Sequence, residues 1–203
     1  TVAIITKTNR NVERVIRFLE AENIPVSSER KINIFNHPIG NLFFTLIDYL
    51  ADTTNREALA KTIAAGLWGL SFEDGVECMR ALRSGKRGVA EKIPTLRHIQ
   101  NKITGDDALA FLVFTAEASG FLKLIACDPA YVEVWRGITE LAENLVREGT
   151  IQDTRELLSR LLAYKASSEE RSVKVSIGTP ELKVMAMTAH GSKGLEFDYV
   201  FLP

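Results

Sequence analysis

The feature that most constrains this chain is the placement of short apolar runs at its two ends. The first run is Val2-Ala3-Ile4-Ile5, and two further runs occupy residues 184–187 and 199–202. Continuously apolar runs of this kind are typical of parallel strands buried on both faces. A helical pattern follows the first run, with Asn9 or Asn11 as its N-cap and Asn23 at its end. We therefore predict that the two chain ends pair as parallel strands of one sheet.

The middle of the chain carries the period of amphipathic helices instead. Apolar residues recur at helical spacing over residues 38–50, 55–65, 71–82, 90–102, 106–118, 129–148 and 154–166. Ser71, Asp128 and Asp153 stand at N-cap positions of three of these segments. The sequence therefore predicts an α/β fold with a large, mostly helical insertion. Residues 1–35 and 171–203 form the partial parallel sheet, and residues 36–170 form the inserted subdomain.

Composition excludes some functions and leaves others to local patches. The formal net charge of the 203-residue chain is -1, so any attraction for nucleic acid must come from a local cluster of cations. Cys78 and Cys127 cannot build a disulfide framework, which favours a reducing, cytoplasmic location. No apolar run approaches the roughly 20 residues of a membrane span, so we expect no membrane partner. Because apolar strand-like runs open and close the sequence, we expect a piece of a larger protein.

The segment that follows the second apolar run is dense in polar and small residues: Thr188-Ala189-His190-Gly191-Ser192-Lys193-Gly194-Leu195-Glu196-Phe197. The carboxyl end of a parallel strand is the usual ligand crevice of an open α/β sheet. We predict one helical turn at residues 194–197, whose free N–H groups would bind phosphate together with Lys193. The alternative is a turn that is rich in Gly and Ser for backbone reasons, with His190 as a cap.

The parts needed for phosphoryl transfer are missing from the sequence. A phosphate-binding loop needs Gly, four residues, then Gly-Lys-Ser or Gly-Lys-Thr. Ser192-Lys193-Gly194 has the wrong order, and Gly85-Lys86 is followed by Arg87. No acidic pair for Mg²⁺ follows an apolar strand. We therefore assign no catalytic residue and no metal ligand, and we expect the chain to be inactive alone.

Residues 184–203 resemble the fifth helicase motif of UvrD/Rep/PcrA-type superfamily 1 DNA helicases. That motif runs from a strand through Thr-x-His, two small or polar residues and Lys-Gly-Leu-Glu-Phe to a strand that ends near Leu-Pro. The opening, Val2-Ala3-Ile4-Ile5-Thr6-Lys7-Thr8-Asn9 with its helix and then Asn23-Ile24-Pro25-Val26, is similar to the start of the second motor domain in the same family. In that family a mostly helical subdomain interrupts the second motor domain, at the place of residues 36–170.

The resemblance implies a RecA-like second motor domain of an ATP-dependent 3′→5′ DNA helicase that acts in DNA repair or recombination. Its partners would be single- and double-stranded DNA and the first motor domain of the same parent chain. ATP and Mg²⁺ would be cofactors of the parent, and neither is expected on the fragment alone. The Ser-Lys-Gly-Leu-Glu form and the Leu-Pro ending are also similar to AddA/RecB-type helicase–nucleases. The branch, and with it a nuclease domain or subunit, stays open.

The resemblance also implies roles for individual residues. Gly194 and Glu196 would bind the nucleotide, with Glu196 on the ribose. The residues implied to contact single-stranded DNA are Lys7, Thr8, Asn9, Thr188, His190, Ser192 and Lys193. At the opening, Thr6-Lys7 stands where the family often has Tyr-Arg.

A locally basic stretch in the helical middle is a second candidate for DNA contact. It comprises Arg80, Arg83, Lys86, Arg87, Lys92, Arg97, His98 and Lys102. Arg83, Lys86 and Arg87 could neutralise duplex phosphates, and the alternative is a solvated helical face. Trp68, in a segment only loosely similar to a duplex-contacting Gly-x-Gly hairpin of the family, is either a duplex contact or a core anchor. A non-catalytic helical module that binds DNA or a partner and regulates a motor is the alternative function.

Overall fold

The computed structural model describes residues 1–86, 88–103, 107–149, 151–167, 172–177 and 184–203. The chain is α/β, as predicted. It divides into two compact units, of which the first combines Thr1–Ile32 with Val173–Pro203 and the second comprises Asn33–Ser172. The two ends of the chain thus contribute to the same unit.

The described part of the first unit contains a parallel sheet and a helix. Its elements are β1 (Val2–Thr6), α1 (Asn9–Ala21), β2 (Ser28–Asn33), β3 (Ser172–Ile177), β4 (Val184–Thr188) and β5 (Tyr199–Phe201). The order in the three-stranded sheet is β4-β1-β5, while β2 and β3 pair separately. Both partners run parallel to β1, with Thr6 opposite Thr188 and Val2 opposite Tyr199. The prediction that the chain ends pair as neighbouring parallel strands is confirmed.

Helix α1 packs on one face of this sheet. Val12 and Leu19 from α1 meet Val26 and Ala186 in a buried cluster, against which Ile4 packs. Val2, Ile4 and Ile5 are half-buried, so the expectation that β1 is buried on both faces is wrong. Both faces are covered only in part, because Ile4 packs against the α1 cluster and is still half-buried, whereas Ala3 on the opposite face is fully buried.

The N-cap of α1 also differs from the prediction. Asn9 already lies inside the helix, and the Thr8 hydroxyl oxygen accepts a hydrogen bond from the Asn11 backbone N–H at 3.3 Å. Thr8 therefore caps the helix, and neither Asn9 nor Asn11 does. The predicted end is confirmed, because Asn23 has a φ of 57° and the next amide donates back to Leu19 at 2.8 Å.

The second unit is built from helices. These are α2 (Pro38–Ala51), α3 (Arg56–Ala64), α4 (Phe72–Arg83), α5 (Pro94–Lys102), α6 (Ala108–Ala118), α7 (Phe121–Ile125), α8 (Pro129–Arg147) and α9 (Thr154–Ala166), with short 3-10 helices at Leu67–Gly69 and Ala90–Lys92. The predicted caps Ser71, Asp128 and Asp153 each accept a backbone N–H at 3.1, 2.7 and 2.8 Å. The pattern at residues 90–102 is split, because Pro94 begins a new helix at its first position.

The core of the second unit centres on α2 and on an aromatic cluster. Phe43 is fully buried, and its ring lies 4.9 Å from the rings of both Phe121 and Trp135. Trp68 is 3% exposed, and its indole N–H donates to the buried Thr62 hydroxyl at 2.9 Å. Trp68 is therefore a core anchor. Among the described residues, no helix is both long and apolar enough to cross a bilayer.

Candidate nucleic-acid interface

Two polar loops begin side by side at the carboxyl edge of the parallel sheet. The Ala189 backbone N–H donates to the Thr6 carbonyl at 3.0 Å, which extends the pairing of β1 and β4 one residue into the loop. Adjacent strands lie about 4.8 Å apart. Lys7 and Thr8 therefore leave the sheet next to the segment that begins at Ala189. The sheet brings together the two sets of residues for which the resemblance implies contact with single-stranded DNA.

Thr188 organises the loop that follows β4. Its hydroxyl oxygen accepts the Gly191 N–H at 3.1 Å, and its carbonyl accepts the Ser192 N–H at 3.0 Å. The Ser192 hydroxyl donates to the Ala189 carbonyl at 3.0 Å. The hydroxyl proton of Ser192 is therefore used inside the loop, whereas Thr188 can still donate its own. Both side chains shape the loop as well as being candidates for DNA contact.

The predicted helical turn at residues 194–197 is wrong. The turn lies earlier, at residues 189–194, and the Leu195 N–H closes it by donating to the Ser192 carbonyl at 3.1 Å. Gly194 then adopts a left-handed backbone with a φ of 85°, which ends the turn. The expected phosphate site at a helix start is therefore not formed. An anion would instead be held by side chains.

Gly191 and Gly194 in this loop each favour glycine, for different physical reasons. A Cβ on Gly191 would lie 3.3 Å from the Thr188 hydroxyl oxygen, so a side chain would press on the hydrogen bond that forms the turn. A Cβ on Gly194 would meet no atom within 4 Å. Gly194 is required by its left-handed backbone, which side chains with a Cβ rarely adopt.

Three exposed nitrogen-bearing side chains lie at this edge of the sheet. Lys7, His190 and Lys193 are all exposed, and none of them forms an ion pair or side-chain hydrogen bond with the part of the chain that the structure describes. Asn9 is likewise exposed at the start of α1. These groups can therefore donate to an anion without losing an existing partner, which is the property a phosphate-binding surface needs.

The acidic residues lie further along the connection from β4 to β5. Because β5 is parallel to β1, residues 189–198 must run from the carboxyl edge of the sheet back to its amino edge. Asp198 is at that amino edge, where its carboxylate accepts the Thr1 ammonium and, at 3.1 Å, the Thr1 hydroxyl. The ammonium lowers the pKa of Asp198. Glu196 is an exposed carboxylate on the same return path, two positions before Asp198.

The basic stretch of the second unit does not form a uniform patch. Lys92 is paired with the Glu77 carboxylate at 2.8 Å, which lowers the pKa of Glu77. The Lys102 ammonium lies 3.9 Å from the centre of the Phe114 ring. Arg83 and Lys86 are exposed and form no ion pair in the described ranges, although the charge of Lys86 also contributes to the lowered pKa of Glu77. Arg87 lies outside the described residues.

In the part of the chain that the structure describes, no side chains are grouped as ligands of a metal ion. The described residues contain no group of three or more His, Cys, Asp or Glu side chains that could hold a metal ion. The sequence also lacks a phosphate-binding loop. Glu196 can accept a hydrogen bond from a sugar hydroxyl.

Comparison with known proteins adds no further guide. No protein-family model matches the chain, and no curated protein matches it significantly in sequence. Any functional conclusion therefore depends on the residues and the geometry described above.

Proposed function

We propose that the chain is the second, RecA-like motor domain of a UvrD-type superfamily 1 DNA helicase, or part of it, together with the inserted helical subdomain. The observation that carries this proposal is the adjacency of the loops after β1 and β4. The exposed side chains of Lys7, His190 and Lys193 share one edge of a parallel sheet. The division of the chain supports it too, since the two ends form one unit and the helical middle forms another.

At this edge the chain binds the sugar-phosphate backbone of single-stranded DNA. Lys7 and Lys193 neutralise phosphates, and the hydroxyl proton of Thr188 is available for a phosphate oxygen. Residues 7–9 and 188–194, which form the ends of the loops at this edge, include no Phe, Tyr or Trp on which bases could stack. We therefore expect binding that is salt-dependent and nearly independent of DNA sequence. In the helical unit, Arg83 and Lys86, with Arg87 beyond the described residues, contact the duplex.

The nucleotide is shared with another domain. Glu196 accepts a hydrogen bond from the ribose, while the first motor domain of the same parent chain holds the triphosphate and Mg²⁺. Hydrolysis of the bound ATP drives movement along the strand. The isolated chain binds DNA without turnover. The parent works in the cytoplasm in repair or recombination, and an AddA/RecB-type parent would also carry a nuclease domain or subunit.

The exposed side chains of β5, at the outer edge of the sheet, support the proposal that the chain belongs to a larger motor domain. Tyr199 and Phe201 on β5 are 68% and 58% exposed, and Val200 between them is also exposed. A strand with large apolar side chains exposed on both faces is unusual at a solvent edge and marks a surface that another part of the protein covers. Further elements of the same motor domain fit this place.

The salt dependence of DNA binding tests the proposal. Fluorescence anisotropy of fluorescein-labelled oligo-dT is measured at several salt concentrations for the wild type and for Lys7→Ala/Lys193→Ala. The logarithm of the binding constant falls linearly with the logarithm of the salt concentration. Losing two phosphate contacts should make that slope less steep by about 1.4. The matched control Lys123→Ala/Arg147→Ala removes two exposed cations from the helical unit and should leave the slope unchanged. An unchanged slope in the Lys7/Lys193 variant would contradict the proposal, as would ATP hydrolysis by the pure chain.

A second candidate function is a non-catalytic helical module that binds DNA or a partner protein and regulates a motor. An apolar groove between α3 and α4 favours it. The full-length parent separates the two functions, through Glu196→Ala and His190→Ala. Both substitutions should cut DNA-stimulated ATP hydrolysis steeply if the chain is a working motor domain. Hydrolysis near the wild-type rate would favour the regulatory module.

A further inference from the structure

A groove of about 770 Å³ separates α3 from α4 in the helical unit. Ile63 and Leu67 are among its lining residues, and they are 7% and 1% exposed. The half-buried side chains of Val76 and Met79 line it from α4. Phe72 also lines the groove and is 86% exposed. The groove is therefore largely apolar, with an aromatic side chain open to solvent beside it.

The sequence of α4 places an apolar stripe along the groove. Phe72, Val76 and Met79 recur at helical spacing and form one apolar stripe. Cys78, the buried residue of α4, is not part of that stripe. Gly75 lies within the stripe, where a Cβ would come no nearer than 4.0 Å to Ile63.

The charged residues around the groove are predominantly basic. Arg56, Arg80 and Arg83 line it, are exposed, and have no carboxylate partner in the described part of the chain. The one acidic residue in the lining, Glu57, is paired with Lys61 at 2.7 Å. The groove thus offers three uncompensated guanidinium groups beside an apolar surface.

We propose that this groove is the docking site for an acidic amphipathic helix of a partner protein. Apolar residues one turn apart on that helix would fill the space above Ile63 and Leu67, and would cover Phe72. Asp or Glu residues flanking them would pair with the arginines. A nucleic acid would satisfy the arginines but would leave most of the apolar lining uncovered, so the observations favour a protein helix. The proposal goes beyond the proposed helicase function and concerns the helical unit alone.

Selection from a displayed peptide library tests the proposal without a known partner. The library consists of helical peptides of about 16 residues, roughly four turns, with fixed apolar residues at positions i, i+4, i+7 and i+11. The other positions vary among Glu, Lys, Gln and Ala. The full chain should enrich peptides in which Glu outnumbers Lys beside the apolar stripe. No enrichment, or enrichment without an acidic bias, would overturn the proposal.

Variants of the chain then locate the binding site of the enriched peptides. Phe72→Ala removes an exposed side chain and should leave folding intact, yet it should weaken peptide binding by about tenfold or more. Arg80→Glu/Arg83→Glu should weaken the binding of acidic peptides by at least as much. It should strengthen the binding of peptides in which Lys replaces Glu. The matched control is Phe18→Ala, which removes another exposed Phe, 65% exposed, from α1.

Three results at this stage would overturn the inference. The first is equal peptide binding by Phe72→Ala and the wild type. The second is equal loss of binding in the Phe18→Ala control. The third is Phe72-dependent binding of fluorescein-labelled oligo-dT with no peptide binding, which would assign the groove to nucleic acid. Lys7 and Lys193 lie outside the groove, so a loss of oligo-dT binding on their substitution leaves the groove proposal unaffected. Arg83 is shared with the proposed duplex contact, and Phe72→Ala, which removes no charge, separates peptide docking from duplex binding.

Discussion

Gly40→Ala should be among the most damaging single substitutions in the helical unit. Gly40 is buried in the first turn of α2, and a Cβ there would lie 1.8 Å from the Ile34 carbonyl oxygen and 3.2 Å from Val134 Cγ1. Real Cβ atoms stay beyond 3.0 Å from such a neighbour, so the backbone would have to separate by about 1.2 Å. Ile34 is itself 0% exposed, which leaves it no free space into which to retreat.

The magnitude follows from two opposing terms. Replacing a helical Gly by Ala stabilises by about 0.5–1 kcal/mol when space is available. Overpacking against a rigid backbone costs typically about 1–3 kcal/mol and sometimes more. Because the obstacle is a backbone carbonyl, we expect Gly40→Ala to lower the free energy of unfolding by about 3 kcal/mol or to prevent folding of the unit.

Urea unfolding followed by tryptophan fluorescence measures this effect. Both tryptophans, Trp68 and Trp135, lie in the helical unit, so the signal reports on that unit. Gly75→Ala on α4 is the matched control, because the nearest atom to its new Cβ is 4.0 Å away, and it should be neutral or stabilising by up to about 1 kcal/mol. A Gly40→Ala variant within about 1 kcal/mol of the wild type would refute the packing described around Ile34.

Three further predictions concern the stability and reactivity of the helical unit. Thr62→Val should cost about 1–3 kcal/mol because it leaves the buried Trp68 indole N–H without its acceptor, and an unchanged urea midpoint would contradict this. Asp153→Ala removes an N-cap hydrogen bond and should cost about 1 kcal/mol in the same assay, and a cost near zero would argue against the cap. Ellman's reagent should modify the exposed Cys127 first. Cys78 should react only on unfolding, because it is 4% exposed and burial raises the pKa of its thiol, whereas equal rates would exclude the described packing.

The parallel pairing of the chain ends could be predicted because it depends on a simple pattern. Apolar runs such as Val2–Thr6 and Val184–Thr188 must be covered and must pair, and few arrangements allow both. The caps at Asp128 and Asp153 could be predicted for a similar local reason. Each stands directly before an amphipathic segment, where its carboxylate accepts a free N–H.

The position of the loop after β4 could be predicted from the sequence, but its conformation could not. Its polar residues predicted a ligand-binding edge, yet the helical turn was expected at residues 194–197. In the structure the Thr188 hydroxyl captures the Gly191 N–H, which starts the turn earlier. Such competition between a side chain and the backbone for one N–H depends on local geometry that residue types do not reveal.

The groove between α3 and α4 could not be predicted from the sequence, for a different reason. Arg80 and Arg83 were recognisable as cations, and the apolar residues of α4 predicted a helix. That the apolar stripe with Phe72 remains uncovered depends on the residues across the groove, such as Leu67. Tertiary proximity of this kind cannot be read from periodicity within one helix.

The central claim is that the loops after β1 and β4 form one surface for single-stranded DNA. Titration of the nitrogen-15-labelled chain with oligo-dT, followed by amide NMR shifts, tests it most directly. The largest shifts should cluster at residues 7–9 and 188–194 and follow a single binding curve. Binding that shifts neither loop, or shifts only one of them, would contradict it.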